Sequence, residues 1–175
     1  MCRIVGSVRD VLVGPQDPRR LIAAMAHPDT ALVTLTVTEK GYELDPGTGA
    51  LNRESAAIRH DVDNPDRPRT APGYLVAALA RRRADGLAPF TILSCDNLPE
   101  NGRRTRAAVL ELARQTDPGL ADWIADTAAF PCSMVDRIVP ATIEADIETL
   151  AAREGYHDAG MVKAEATFAN LPASD

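Results

Sequence analysis

The stretch FTILSCDNLPENG, residues 90–102, carries an apolar run straight into Asp96, Asn97, Glu100 and Asn101. A side-chain amide offers two N–H donors without a net charge, and such a donor can stabilise negative charge building on a carbonyl or alkoxide oxygen. A carboxylate accepts, so it can bind hydroxyls or orient a neighbouring cation. The same juxtaposition occurs twice more. Glu39 and Lys40 follow ALVTLTVT (31–38), and Asp136-Arg137 sits inside FPCSMVDRIVP (130–140). Each group also has a plainer use. Asp96 and Asn97 suit a helix cap or an Asx turn, Glu39-Lys40 a solvated corner, and Asp136-Arg137 an ion pair at a strand edge. Residue type alone leaves both uses open.

Other chemistries lack their spacing. His27, His60 and His157 form no metal-ligand pattern, and Cys2, Cys95 and Cys132 form no CxxC, so no metal site is expected. There is no GxSxG and no Walker A. GTGALN (47–52) follows a polar turn rather than a strand and lacks a third glycine, which rejects it as a dinucleotide fingerprint. The arginine run at 81–83 is expected in solvent, satisfying a helix C-terminus.

The elements that must position these groups alternate. Residues 3–13 are β-leaning. Asp17-Pro18 reads as an N-cap with proline at the first helical position, opening a helix with Leu21, Ile22 and Met25 on one side and closing at His27-Pro28. ALVTLTVT alternates as a strand, with Val33, Leu35 and Val37 on one face. A turn-rich segment (45–52), a short helix and a loop (53–71) come next. The sequence then predicts a helix from Pro72, a strand over 90–95, a helix over 102–115 and another from Asp117-Pro118. A short strand over 134–139, a helix over 142–153 and a last strand over 161–166 complete the reading. Strand–helix alternation predicts an α/β fold, a largely parallel sheet with helices on its faces. Ligands of such sheets bind beyond the carboxyl ends of the strands, where the polar groups above are placed.

The chain has 175 residues, enough for a domain with its own core. At 45% hydrophobic and 25% charged it reads as globular, and at 4% aromatic its core must be built from Ala, Val, Leu and Ile. A net charge of −6 argues against nucleic acid as the main partner. Three scattered cysteines fit a reducing compartment. No apolar run has membrane length and no signal-peptide core is seen, so the expectation is a soluble cytoplasmic protein with no membrane partner.

Three segments together, TLTVTEKGY (34–42), FTILSCDNLPENG (90–102) and FPCSMVDRIVP (130–140), resemble the mannitol dehydrogenase family, the polyol-specific long-chain dehydrogenases and reductases. SCDN-x-x-x-NG and MVDRI-x-P are the specific parts, and TVTEKGY supports them. The resemblance covers residues 1–166 and implies a partial Rossmann-like domain, with a tail at 167–175 that does not look like the family. It further implies an NAD-dependent enzyme, NADP not excluded, moving a hydride between C2 of a polyol or hexuronate and the nicotinamide without a catalytic metal. By the same resemblance Asn97 matches an oxyanion-hole asparagine and Asp136 an active-site aspartate. Thr38 and Glu39 line the cofactor cleft, with Asp96 beside it.

The chain departs from the family twice. The glycine-rich GxGxFxRxH-like segment does not occur. Neither Lys40 nor Lys163, the two lysines present, stands in the Lys-x4-Asn-x2-His pattern of the family's general base. Losing proton transfer would cost roughly 10²–10⁴-fold. The expectation is therefore a central piece of a longer enzyme, inactive or nearly so alone. The competing expectation is a degenerate α/β module that self-associates through uncovered surfaces.

Overall fold

A computed structural model describes residues 2, 4–45, 47–134 and 139–164. The chain divides into two units, Met1–Met134 and Val135–Asp175.

The first unit is organised around two short parallel strands. β1 (Leu32–Leu35) pairs with β2 (Thr91–Ser94), Leu32 opposite Thr91 and Leu35 opposite Ser94. β2 is bonded on both sides. The amides of Thr91 and Cys95 donate to the carbonyls of Ala31 and Leu35 (2.9 and 2.7 Å), whereas the amide of Ile92 turns the other way, to Ala129 (3.0 Å). The segment after Ala129 thus runs beside β2 toward Ser133. Ile92 and Ser94 are wholly buried, as expected of alternate residues on one face of an inner strand.

Helices cover this sheet. α1 (Pro18–Ala26) starts at Asp17, whose carboxylate accepts from the Arg20 amide (3.0 Å). α2 (Ala56–Asp63) leads into α3 (Ala71–Ala84), where the Thr70 hydroxyl caps the Gly73 amide at 3.0 Å. α4 (Asn101–Thr116) and α5 (Pro118–Thr127) meet at Asp117, which ends one helix and caps the next by accepting from the Leu120 amide (3.1 Å). Leu75, Leu79, Ile92, Val109, Leu112 and Ile124 form the centre of the core, with Val33 and Leu35 of β1 packed against it. These are the apolar positions that the helical and strand periodicities select.

In the second unit, α6 (Glu144–Glu154) is entered at Ile143, whose amide donates to the Asp146 carboxylate (3.2 Å), and left through Gly155 at φ 77°. Lys163 donates to Asp146 at 3.0 Å, which holds that carboxyl below its ordinary range.

Three expectations are corrected. Residues 4–13 form no strand, and Ile4, Val5, Val8 and Val11 are exposed. β propensity produces a strand only where a ladder partner stands alongside, and none of the described residues does. Residues 161–164 are likewise irregular. The strand expected over 134–139 falls largely on residues 135–138, outside the described residues, as do 165–166.

The third correction is Arg82. Arg81 and Arg83 pair at the surface with Asp85 (2.8 Å) and Asp117 (3.0 Å), but Arg82 is 5% exposed. Its guanidinium donates to the carbonyls of Thr30 (2.6 Å) and Pro28 (3.2 Å) and lies over the Phe90 ring. The reason is periodic. Position 82 follows Leu75 and Leu79 on the i, i+4, i+7 face, so the helix turns it inward. There it fastens the loop between α1 and β1, which fixes where β1 begins.

Candidate active site

At the carboxyl ends of β1 and β2 the chain turns away from the sheet in two different ways. After β1, residues Glu39–Tyr42 make a single 3₁₀ turn entered at Thr38, whose carbonyl accepts from the Gly41 amide (2.7 Å). Thr38 is exposed, and the Glu39 side chain lies outside the described residues. The turn delivers Tyr42 into the interior, 1% exposed, with its hydroxyl donating to Oδ2 of Asp96. After β2, Asp96 folds back on its own loop and Oδ1 accepts from the Leu98 amide at 2.9 Å. This is the Asx turn that residue type allowed. Both oxygens of Asp96 are therefore engaged within the chain, and the structure gives it the task of tying the two strand ends together.

Asn101 holds the other side of the loop. Its side chain is fully buried, and Nδ2 lies 3.1 Å from the Asp96 carbonyl, 3.3 Å from Asp96 Oδ1 and 3.0 Å from the Ser133 carbonyl. Oδ1 accepts from the amides of Gly102 (2.8 Å) and Ser133 (3.1 Å). Ser133 adds a hydroxyl bond to the Ser94 carbonyl. Below this, Thr105 donates to the Asn101 carbonyl at 2.8 Å and pairs with the Ser94 hydroxyl at 2.7 Å. Asn-Gly at 101–102 reads in sequence as a turn; here it opens α4. A Cβ at Gly102 would collide with the carbonyl oxygens of Phe130 and Pro131, so glycine is required for that close approach. Glu100, just before the helix, sits at φ 56°, a conformation that L side chains rarely adopt.

Between these two anchors stands Asn97, exposed, with no hydrogen bond from its amide to any described residue. The loop is thus fixed at Asp96 and at Asn101, and the one amide left free projects from it beyond the end of β2. The loop is pinned on both sides, and the free amide offers two N–H donors to an oxygen placed beyond the strand ends. Asp136 lies outside the described residues. Tyr42, Ser94, Asn101, Thr105 and Ser133 were not singled out as site residues in the sequence, although all but Thr105 fall inside the three quoted segments.

Burial and the neighbouring Asp96 push the Tyr42 phenol from 10.0 up to about 12. A phenol held protonated by the fold stabilises the fold fully below its unfolded value and loses that contribution as pH rises through its folded value. Wild type should therefore exceed Tyr42→Phe in unfolding free energy near pH 8. The gap should close by roughly 2–3 kcal/mol between about pH 10 and 12. Urea titrations of both chains across that range measure it, and a gap constant with pH would rule out the titration of Tyr42 as its source.

Residues 1–171 match the family described as the mannitol dehydrogenase Rossmann domain. The chain is 48% identical over 164 residues to mannitol 2-dehydrogenase of Pyricularia oryzae, covering 93% of this chain and 33% of that protein. It is 45% identical to D-mannonate oxidoreductase of Escherichia coli, covering 93% and 34%. Among solved structures, mannitol 2-dehydrogenase of Pseudomonas fluorescens in ternary complex with NAD and D-mannitol superposes with a TM-score of 0.81 at 41% identity, covering 85% of this chain and 30% of that one. D-Sorbitol dehydrogenase in substrate-free form gives 0.86 at 42%, covering 91% and 33%. The chain spans about a third of the length of the curated relatives it matches.

Proposed function

The chain belongs to the mannitol dehydrogenase family, and from that premise we propose that it supplies the oxyanion-stabilising part of an NAD-dependent oxidoreductase acting at C2 of a polyol, mannitol first. The observation that carries this reading is Asn97: a free amide at the carboxyl end of an inner parallel strand, on a loop pinned on both sides. A donor so held can meet the C2 oxygen as its negative charge grows. The cofactor fits the same place, since the crevice beyond the carboxyl ends of parallel strands is where dinucleotides lie in such sheets. Thr38 and Glu39 would line it, while Asp96 shapes it through Tyr42. Bound there, NAD supplies the hydride acceptor. Asp136 is assigned beside the substrate on the resemblance alone. A hexuronate is the second substrate class, carried on the resemblance alone, while the likeness to D-mannonate oxidoreductase favours a sugar acid in general.

The chain alone is expected to be inactive. Of its two lysines, Lys163 is paired with Asp146 and Lys40 sits in the 3₁₀ turn after β1. Neither stands in the family's general-base pattern. The test has two arms. The isolated chain is assayed for NADH oxidation with fructose and with fructuronate, and no turnover is expected. Residues 1–164 are then grafted in place of the matched third of the Pyricularia oryzae enzyme. Activity in the graft supports the reading. Turnover by the isolated chain, or a folded but inactive graft, overturns it.

A further inference from the structure

A cavity of about 530 Å³ opens where α2 passes into α3, away from the strand ends that carry Asn97. The residues that line it are held in place by a buried carboxylate behind them. Asp61 is 2% exposed and accepts from the amides of Arg69 (2.7 Å) and Thr70 (2.9 Å) and from the Thr70 hydroxyl (2.7 Å). Gly73 is packed so tightly against it that a Cβ there would strike the carboxylate. Asp61 thus fixes the backbone at Arg69, and a bond from the Arg67 amide to the Asn64 carbonyl (3.0 Å) fixes Arg67. The walls of the cavity include His60, Arg67, Arg69 and Tyr74, with Pro68 between the two arginines.

Two features of this cavity are not used up by the described residues. The first is its charge. Eight arginines elsewhere (19, 20, 53, 59, 81, 83, 103 and 153) are in close ion pairs with carboxylates, whereas among the described residues Arg69 forms none and Arg67 acts on its neighbour Asp66 only at longer range. Two unpaired arginines converge on one concavity in a chain whose net charge is −6. Asp66, next to Arg67 in the chain, is paired with Arg19 at 2.8 Å, and the oxygens of the buried Asp61 are occupied by Arg69 and Thr70. The second feature is the Tyr74 hydroxyl, which is buried without a hydrogen-bond partner among the described residues. A buried hydroxyl without a partner is unfavourable, and a ligand oxygen at this position would satisfy it.

We propose that this cavity binds a small-molecule oxyanion, a phosphate or carboxylate group held by Arg67 and Arg69 and reached by the Tyr74 hydroxyl. Guanidiniums bind both kinds of oxyanion through paired N–H donors, and the volume suits a metabolite-sized ligand. His60, whose Nδ1 lies 3.1 Å from Asp61, stands in the same wall. The proposal is independent of the function assigned to Asn97.

Isothermal titration of the 175-residue chain with inorganic phosphate and, separately, with citrate tests it and tells the two sources apart. Saturable binding of at least one probe is expected. Arg67→Gln/Arg69→Gln should weaken it by about tenfold or more, and Tyr74→Phe by a few-fold, while raising stability in the absence of ligand. Arg9→Gln/Arg114→Gln, which removes two arginines from elsewhere on the surface, should leave it unchanged. No saturable binding of either probe, equal weakening in the two arginine pairs, or unchanged affinity in Tyr74→Phe each overturns the proposal.

Discussion

Asn101→Ala is expected to lower the unfolding free energy by about 3–5 kcal/mol, whereas Asn97→Ala, four residues away, is expected to change it by less than about 0.5 kcal/mol. The contrast arises from where the two amides are. Asn101 is fully buried and joins the end of β2, the Asp96 loop and the 130–133 segment. Removing it strands the amides of Gly102 and Ser133 and the carbonyls of Asp96 and Ser133 where water has no access. Each unsatisfied buried group costs about 1–3 kcal/mol, and partial relaxation keeps the total below the simple sum. Asn101→Asp tests the direction of the bonds. It keeps the acceptor for Gly102 and Ser133 but turns the donors into repulsion against the carbonyls of Asp96 and Ser133 and the Asp96 carboxylate, so it should cost at least as much as alanine. Urea unfolding of the three variants, with m-values compared, reads this directly. A loss below about 1 kcal/mol for Asn101→Ala would show that the network is not what holds the strand end.

Local signals in the sequence located most elements of this fold. Asp17-Pro18 and Asp117-Pro118 each carry a cap acceptor followed by a residue that can only begin a helix, and both helices start there. Leu75, Val76 and Leu79 declare their face by spacing alone. Asn97 follows an apolar run with only Asp96 between, so its position beyond the end of β2 could be read along the chain. Arg82 was also legible in principle, since it continues the Leu75–Leu79 face, but its charge outweighed its position in the reading. Asn101 was not legible. Its partners include Ser133, 32 residues later, and no local pattern distinguishes a turn-forming Asn-Gly from one whose glycine admits two carbonyls from a distant segment. Tyr42 and Asp96 stand 54 residues apart, and their pairing is equally a product of the tertiary fold. Residues 4–13 show the converse. Their composition is that of a strand, but strand formation depends on a neighbour that composition cannot supply.

Because Asn97 contributes little to the fold, its loss should appear in the chemistry. In the grafted enzyme, Asn97→Ala is expected to lower kcat by about 10²–10³ with little change in KM, the pattern of a donor that acts on charge developing in the transition state. Asn97→Asp should be at least as damaging, since it presents a negative charge where one is forming. Tyr42→Phe separates position from contact. It leaves the Asn97 amide intact but releases Asp96 from the β1 end of the cleft, so kcat should fall by less than in Asn97→Ala. Steady-state kinetics of the three variants, alongside their melting temperatures, decides the assignment. A rise in KM with kcat unchanged in Asn97→Ala would make it a binding residue only, and no effect at all would remove it from the site. An Asn97→Ala enzyme that melts well below wild type would mean that the loop needs the amide for its own structure. The free side chain beyond β2 would then no longer argue for catalysis.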